Sequence, residues 1–168
     1  MLKKIFGRGK NSNTATATAN KSKVKYSEGL IPNLKDAHGA LFTKYLEIES
    51  TFKEDDEKWH TIMDLTKEFE VALKLHVSLE DKQLYTYLEQ HYEDEHDTEH
   101  LEHLRELQKN MGDIMKAVKH FAKKYSDWEN YKRNKHAFLD DLGTVGKALT
   151  KRVELEENFI YPMYMEGH

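Results

Sequence analysis

His76-Val77-Ser78-Leu79-Glu80-Asp81-Lys82-Gln83-Leu84-Tyr85 returns 76 positions later as Arg152-Val153-Glu154-Leu155-Glu156-Glu157-Asn158-Phe159-Ile160-Tyr161. Val, Leu, Glu and Tyr recur in register, with an acid after each Glu and an aliphatic before each Tyr. The apolar ladder upstream repeats as well: Ile62, Phe69 and Leu73 map onto Phe138, Val145 and Leu149. A fixed offset over this length points to one duplicated helical hairpin. In the first copy His76 and Glu80 stand four apart, so on a helix both project from one face, one turn from each other. Together they offer a cation one nitrogen and one oxygen. In the second copy Arg152 replaces the histidine.

Working outward from the repeat, four amphipathic segments appear. Leu41, Phe42, Tyr45 and Ile48 give helical spacing to a first helix over about 34–52, with His38 one turn earlier on the same stripe. Lys53-Glu54-Asp55-Asp56 reads as a turn, and its acids favour the start of the helix that follows. A second helix is expected over about 57–91. Its ladder is Trp59, Ile62, Leu65, Phe69, Leu73, then His76, Glu80, Leu84 and Leu88. After the acidic turn 93–97 a third helix runs to about Tyr125, with His96, His100, His103, Leu104, Leu107, Met111, Ile114, Val118 and Phe121 on its face. A fourth starts at the Ser126-Asp127 cap and runs to about Phe159, where Pro162 is expected to end it. Gly143 and Gly146 predict a close helix contact or a bend in its middle. The fold class is therefore all-α, an up-down-up-down four-helix bundle made of two repeated hairpins.

Composition narrows the chemistry. The 168 residues contain no cysteine, which excludes disulfides, thiolate-held clusters and zinc fingers. Any metal must sit on imidazoles and carboxylates. No stretch reads as a membrane span or a cleavable leader, so the expected location is the cytoplasm. Residues 1–28 carry seven Lys and Arg against one acid, and the remaining 140 carry 19 basic and 29 acidic residues. Residues 1–28, with the Asn/Ser/Thr/Ala run 11–20, are expected to form a flexible basic tail, and 29–168 the bundle. An acidic body is a poor nucleic-acid binder, because phosphate contacts dominate that affinity; the tail alone suits an acidic surface or partner. Met1 to Phe6, basic and apolar, reads most simply as a disordered leader, with weak anchoring as the competing reading.

Polar residues interrupt the inward stripes at His38, at His76 and Glu80, at His100, and at Arg152 and Glu156. Buried polar groups must be paired or bound, and a bundle interior can bring such groups to a shared point. The His-x-x-x-Glu spacing differs from the Glu-x-x-His of ferritin-like proteins.

His38, then His76-x-x-x-Glu80 with Leu84-Tyr85, then Glu99-His100, then Glu156-Glu157 with Ile160-Tyr161-Pro162, resembles the hemerythrin-like HHE cation-binding domain over about residues 31–164. The resemblance implies a non-heme di-iron centre, Glu80 and Glu156 bridging two irons and His38, His76 and His100 as terminal ligands. It also implies oxygen or a related small ligand as the bound partner, carried or sensed, with peroxide turnover as an enzymatic alternative. Arg152 departs from the pattern: a guanidinium stays protonated and offers no lone pair. Three outcomes stay open. One iron is left short of a nitrogen and more open, His103 or His96 fills the gap, or Arg152 takes the cation's place by pairing with Glu156 and Glu80. The last would make the chain a metal-free interaction module. Tyr85 and Tyr161 read as packing residues or as a lining of the metal pocket. His60, His91, His96, His103 and His136 read as surface or packing residues.

Overall fold

The computed structural model describes residues 23–166; the low-complexity run, the Met1 to Phe6 segment and His168 lie outside the described residues. Among the described residues all regular structure is helical: α1 (Leu30–Glu54), α2 (Trp59–Leu79), α3 (Thr86–Asp94), α4 (Thr98–Tyr125), α5 (Trp128–Asn134), α6 (Phe138–Leu155) and α7 (Tyr161–Glu166). A π-helical segment, Glu80–Tyr85, joins α2 to α3, and a second, Glu156–Ile160, joins α6 to α7. A short 3₁₀ turn, Lys135–Ala137, joins α5 to α6. Four rods result: α1, α2–α3, α4 and α5–α7. α1 packs on α2 and α6, and α4 packs on the same two, which is the ring order of an up-down-up-down bundle.

The rods begin and end where local chemistry dictates. Pro32 lies in the first turn of α1, where its missing N–H has no intrahelical partner to lose. The carboxylate of Asp97 accepts from the His100 amide at 3.1 Å and caps α4. Asp127 accepts from the Asn130 amide at 2.9 Å and caps α5. Both caps satisfy amides that the first helical turn leaves unpaired.

Pro162 does not end the last rod; the helix continues to Glu166. The preceding turn is widened, with the Tyr161 amide donating to the carbonyl of Glu156, five residues back. That wider turn relieves the clash between a proline ring and the carbonyl four positions earlier. The second rod likewise runs past His91, to Asp94.

The interior is layered. One apolar cluster gathers Leu41, Ile48, Phe69, Met111, Phe138 and Leu149. The other gathers Leu34, Leu84, Leu104, Leu107, Ile160 and Tyr161. His38, His76, Glu80, Arg152 and Glu156 are buried and lie between the two in each rod's sequence, so a polar layer separates two apolar ones. Gly146 supports this packing, because a Cβ there would lie 2.6 Å from the hydroxyl of Tyr45, whereas Gly143 faces open space. Residues 23–28, expected within the tail, run against the end of the bundle. The Val24 amide donates to Gln90 at 2.9 Å, the Ser27 amide to the Tyr164 hydroxyl at 2.8 Å, and Tyr26 stacks on Tyr164 at 5.0 Å. Among the described residues, no helix is long and apolar enough to cross a membrane.

Candidate metal centre

The two π-helical segments position the site. On a regular α-helix, residues five apart point about 140° away from each other. The wider turn of a π segment brings them onto one face. Glu80 and Tyr85 stand five apart, as do Glu156 and Tyr161, and all four are buried. Each repeat thus sends an acid and a phenol inward from one short segment.

His38, His76, Glu80 and Glu156 each present one ligand atom such that all four atoms lie within 4.8 Å of one another. His38 Nε2 is 3.0 Å from Glu156 Oε2 and 3.2 Å from the Tyr161 hydroxyl, which donates to Glu80 Oε1 at 3.1 Å. His38 Nδ1 is 2.8 Å from Glu157 Oε1. The His38 and His76 rings meet edge to face at 4.7 Å. Among the described residues, two buried side-chain atoms have no hydrogen-bond partner, His76 Nδ1 and Glu80 Oε2. Leaving such atoms unmet is costly, and both belong to residues of the four-residue cluster. Two imidazoles and two carboxyl groups, with two unmet polar atoms among them, fit a cation.

The charge states follow from burial and neighbours. Burial, with the positive field of His38 and then of Arg152, lowers the His76 imidazole to about 4, so it is neutral and keeps a lone pair. Burial and the Glu156 charge push the Glu80 carboxyl up to about 8. With His76 neutral, its 3.7 Å approach to Glu80 Oε1 is no ion pair. Burial raises Glu156 too, but hydrogen bonding to His38 and the charge of Arg152 outweigh it and hold it below the ordinary carboxylate range. Burial works against charge on His38, yet its bonds to Glu156 and Glu157 win and raise its pKa.

Arg152 is buried and fully engaged. Its Nε donates to Glu156 Oε1, one terminal nitrogen to the Leu107 carbonyl at 2.8 Å, and the other to the Tyr85 hydroxyl. A cation beside that Glu156 oxygen would have to displace the guanidinium. The pseudo-symmetry is visible here: Tyr161 of the second repeat serves Glu80 of the first, and Tyr85 of the first serves Arg152 of the second.

Of the five expected ligands, four converge and His100 does not. Its side chain is 52% exposed, its Nδ1 is 2.6 Å from Asp97 Oδ2, and its ring stacks on Tyr92 at 4.9 Å. α4 turns Leu101, Leu104, Leu107 and Met111 inward instead, and brings the polar layer only the Leu107 carbonyl. His103 and His96 are exposed and outside the cluster, so neither fills the nitrogen gap. His103 and Arg152 both border an open groove of about 600 Å³ between α4 and α6. The sequence reading assigned no role to Glu157 or to the Leu107 carbonyl. For the phenols, the five-residue Glu-to-Tyr spacing in both repeats was the available signal.

No curated protein and no solved structure matches the chain. A family model, the hemerythrin HHE cation-binding domain, matches residues 29–164. The match spans the whole bundle and the cation-fitting cluster within it, and the chain belongs to the hemerythrin HHE cation-binding domain family.

Proposed function

We propose that this chain binds one non-heme iron through His38, His76, Glu80 and Glu156, with Arg152 standing in for a second cation. The carrying observation is the pair of unmet buried atoms, His76 Nδ1 and Glu80 Oε2, inside a four-ligand cluster. Imidazoles with carboxylates suit non-heme iron(II), and a four-ligand set leaves positions open. Iron held there would supply a coordination position for oxygen or a related small ligand, which the protein carries or senses. The chain's own residues prepare the place. His76 stays neutral, Tyr161 orients one Glu80 oxygen, and the apolar layers above and below exclude bulk water. Arg152 neutralises Glu156 at no cost in coordination number, because it takes the oxygen facing away from His38.

The ligand assignment predicts that His76→Ala loses iron uptake while keeping its helical signal. Anaerobic titration with ferrous iron, followed by metal analysis after desalting, checks this, and an unchanged stoichiometry in the variant contradicts it. A second reading has support from Arg152. A guanidinium bound to Glu156, Tyr85 and Leu107 already compensates one buried carboxylate, so the bundle could serve as a metal-free interaction module. That reading predicts little metal in the parent and more in Arg152→His.

A further inference from the structure

We infer that Glu157 is a positioning residue, which selects the histidine tautomer that the cation site needs; this rests on the metal-binding reading above. A neutral imidazole carries its proton on one nitrogen and its lone pair on the other, and the partner of the protonated nitrogen decides which is which. His38 lies between two carboxylates on opposite edges of its ring. Nε2 faces the buried layer, 3.0 Å from Glu156 Oε2, and Nδ1 faces outward, 2.8 Å from Glu157 Oε1. Only the inward Nε2 can reach the cluster, so the proton must be held on Nδ1, and Glu157 is the acceptor placed there.

The placement comes from sequence position. Glu157 follows Glu156 in the π-helical segment, so its side chain leaves the polar layer toward α1 while Glu156 stays inside. There its other oxygen, Oε2, lies 3.9 Å from Lys35 Nζ, one turn before His38 on α1. Glu157 is therefore held from both sides by α1 and is one-third exposed. The duplicated position behaves differently. Asp81 follows Glu80 but accepts from Gln108 Nε2 at 3.3 Å, and among the described residues it pairs with no histidine. His76 Nδ1 has no hydrogen-bond partner among the described residues. Of the two cluster histidines, only His38 has a carboxylate anchor. Partners of this kind set ring orientation and ligand basicity, and losing one typically costs about 10–100-fold in metal affinity.

The test uses the full chain, zinc as a diamagnetic probe, and imidazole proton NMR, comparing the parent with Glu157→Ala, Glu157→Gln and Lys35→Ala. In the metal-free parent, His38 should show a downfield, slowly exchanging Hδ1. Glu157→Gln, which keeps an acceptor oxygen, should retain that signal, and Glu157→Ala should lose it. Zinc affinity should fall by about 10–100-fold in Glu157→Ala, by less in Glu157→Gln, and not at all in Lys35→Ala, with helical content unchanged throughout. A mere packing role would lower thermal stability without moving the Hδ1 signal. Unchanged zinc affinity in Glu157→Ala, or a parent without the Hδ1 signal, overturns the role of Glu157 and leaves the metal site standing. A parent that takes up no zinc and no iron overturns the metal reading itself, whatever the Hδ1 signal shows, and the role toward a ligand goes with it.

Discussion

At the scale of residues, the proposed single-cation site turns on Arg152. It brings a permanent positive charge and three donated hydrogen bonds into a buried layer that holds two acids, Glu80 and Glu156. Arg152→Met keeps much of the volume but removes the charge. It leaves the Leu107 carbonyl and the Tyr85 hydroxyl without their partner. Breaking a buried pair by removing one side costs about 3–5 kcal/mol, so the metal-free variant should lose about that much in urea denaturation. A loss under about 1 kcal/mol would show that Arg152 is not the counterweight to Glu156.

The cluster residues were legible in the sequence because His38, His76, Glu80 and Glu156 each interrupt an apolar ladder. The structure places His100 apart from the cluster for a physical reason. It lies three residues after Asp97, the capping acid of α4, and the cap takes both its amide and its ring. The expectation of one inward polar side chain from every rod does not match α4. α4 contributes a backbone carbonyl instead, and a carbonyl at Leu107 has no signature in residue types.

At the scale of elements, the π-helical segments are what regular helix spacing cannot convey. Read as α-helices, the two repeats point Tyr85 and Tyr161 away from Glu80 and Glu156. The structure turns them onto the same face. The identical five-residue spacing in both copies was the trace of this in the sequence, and the same widened turn explains why Pro162 does not stop the chain.

The two glycines of α6 were expected to mark a close contact or a bend, and they separate cleanly. At Gly146 an added methyl meets the hydroxyl of Tyr45 at 2.6 Å and its ring at 2.7–2.8 Å, so Gly146→Ala should destabilise by about 1–3 kcal/mol. Gly143 has nothing within 4 Å. Gly143→Ala should therefore stabilise by up to about 1 kcal/mol, the helix-propensity difference. Thermal melts of the two variants would test the pair, and equal shifts would contradict the α1–α6 contact.

The junction between α4 and α6 also carries a pH dependence. Burial raises Asp141, but hydrogen bonds from Lys124 and Tyr125 outweigh it and hold the carboxyl below its ordinary value. A carboxylate depressed in the folded state stabilises above its unfolded pKa, about 3.9, and loses that contribution as pH falls through the folded value. Asp141→Asn should thus flatten the acid side of the stability profile below about pH 4 and leave the slope near neutrality alone. Denaturant midpoints measured from pH 6 to pH 2 would check this, and parallel profiles would contradict it.

At the scale of the whole molecule, the duplication explains both the fold and its asymmetry. Two hairpins of one plan supply two acids, two phenols and two π-helical segments, disposed around one polar layer between apolar ones. The copies then diverged at several positions, among them the one where His76 has Arg152 as its counterpart. The first repeat supplies both imidazoles of the cluster, His38 and His76. The second keeps its acid but holds it with a guanidinium. The bundle, the repeat and four of the cluster residues were readable from spacing alone. The docking of residues 23–28 was not, because it depends on Tyr26 meeting Tyr164 across 137 and more positions of chain, a contact no local pattern announces.

The most direct test of this account is the iron content per chain of the full-length protein, loaded anaerobically with excess ferrous iron and desalted. One iron per chain is the predicted result. Two would mean that Arg152 yields its place to a second cation, and none would mean that the cluster is satisfied without metal; either would contradict the single-cation site.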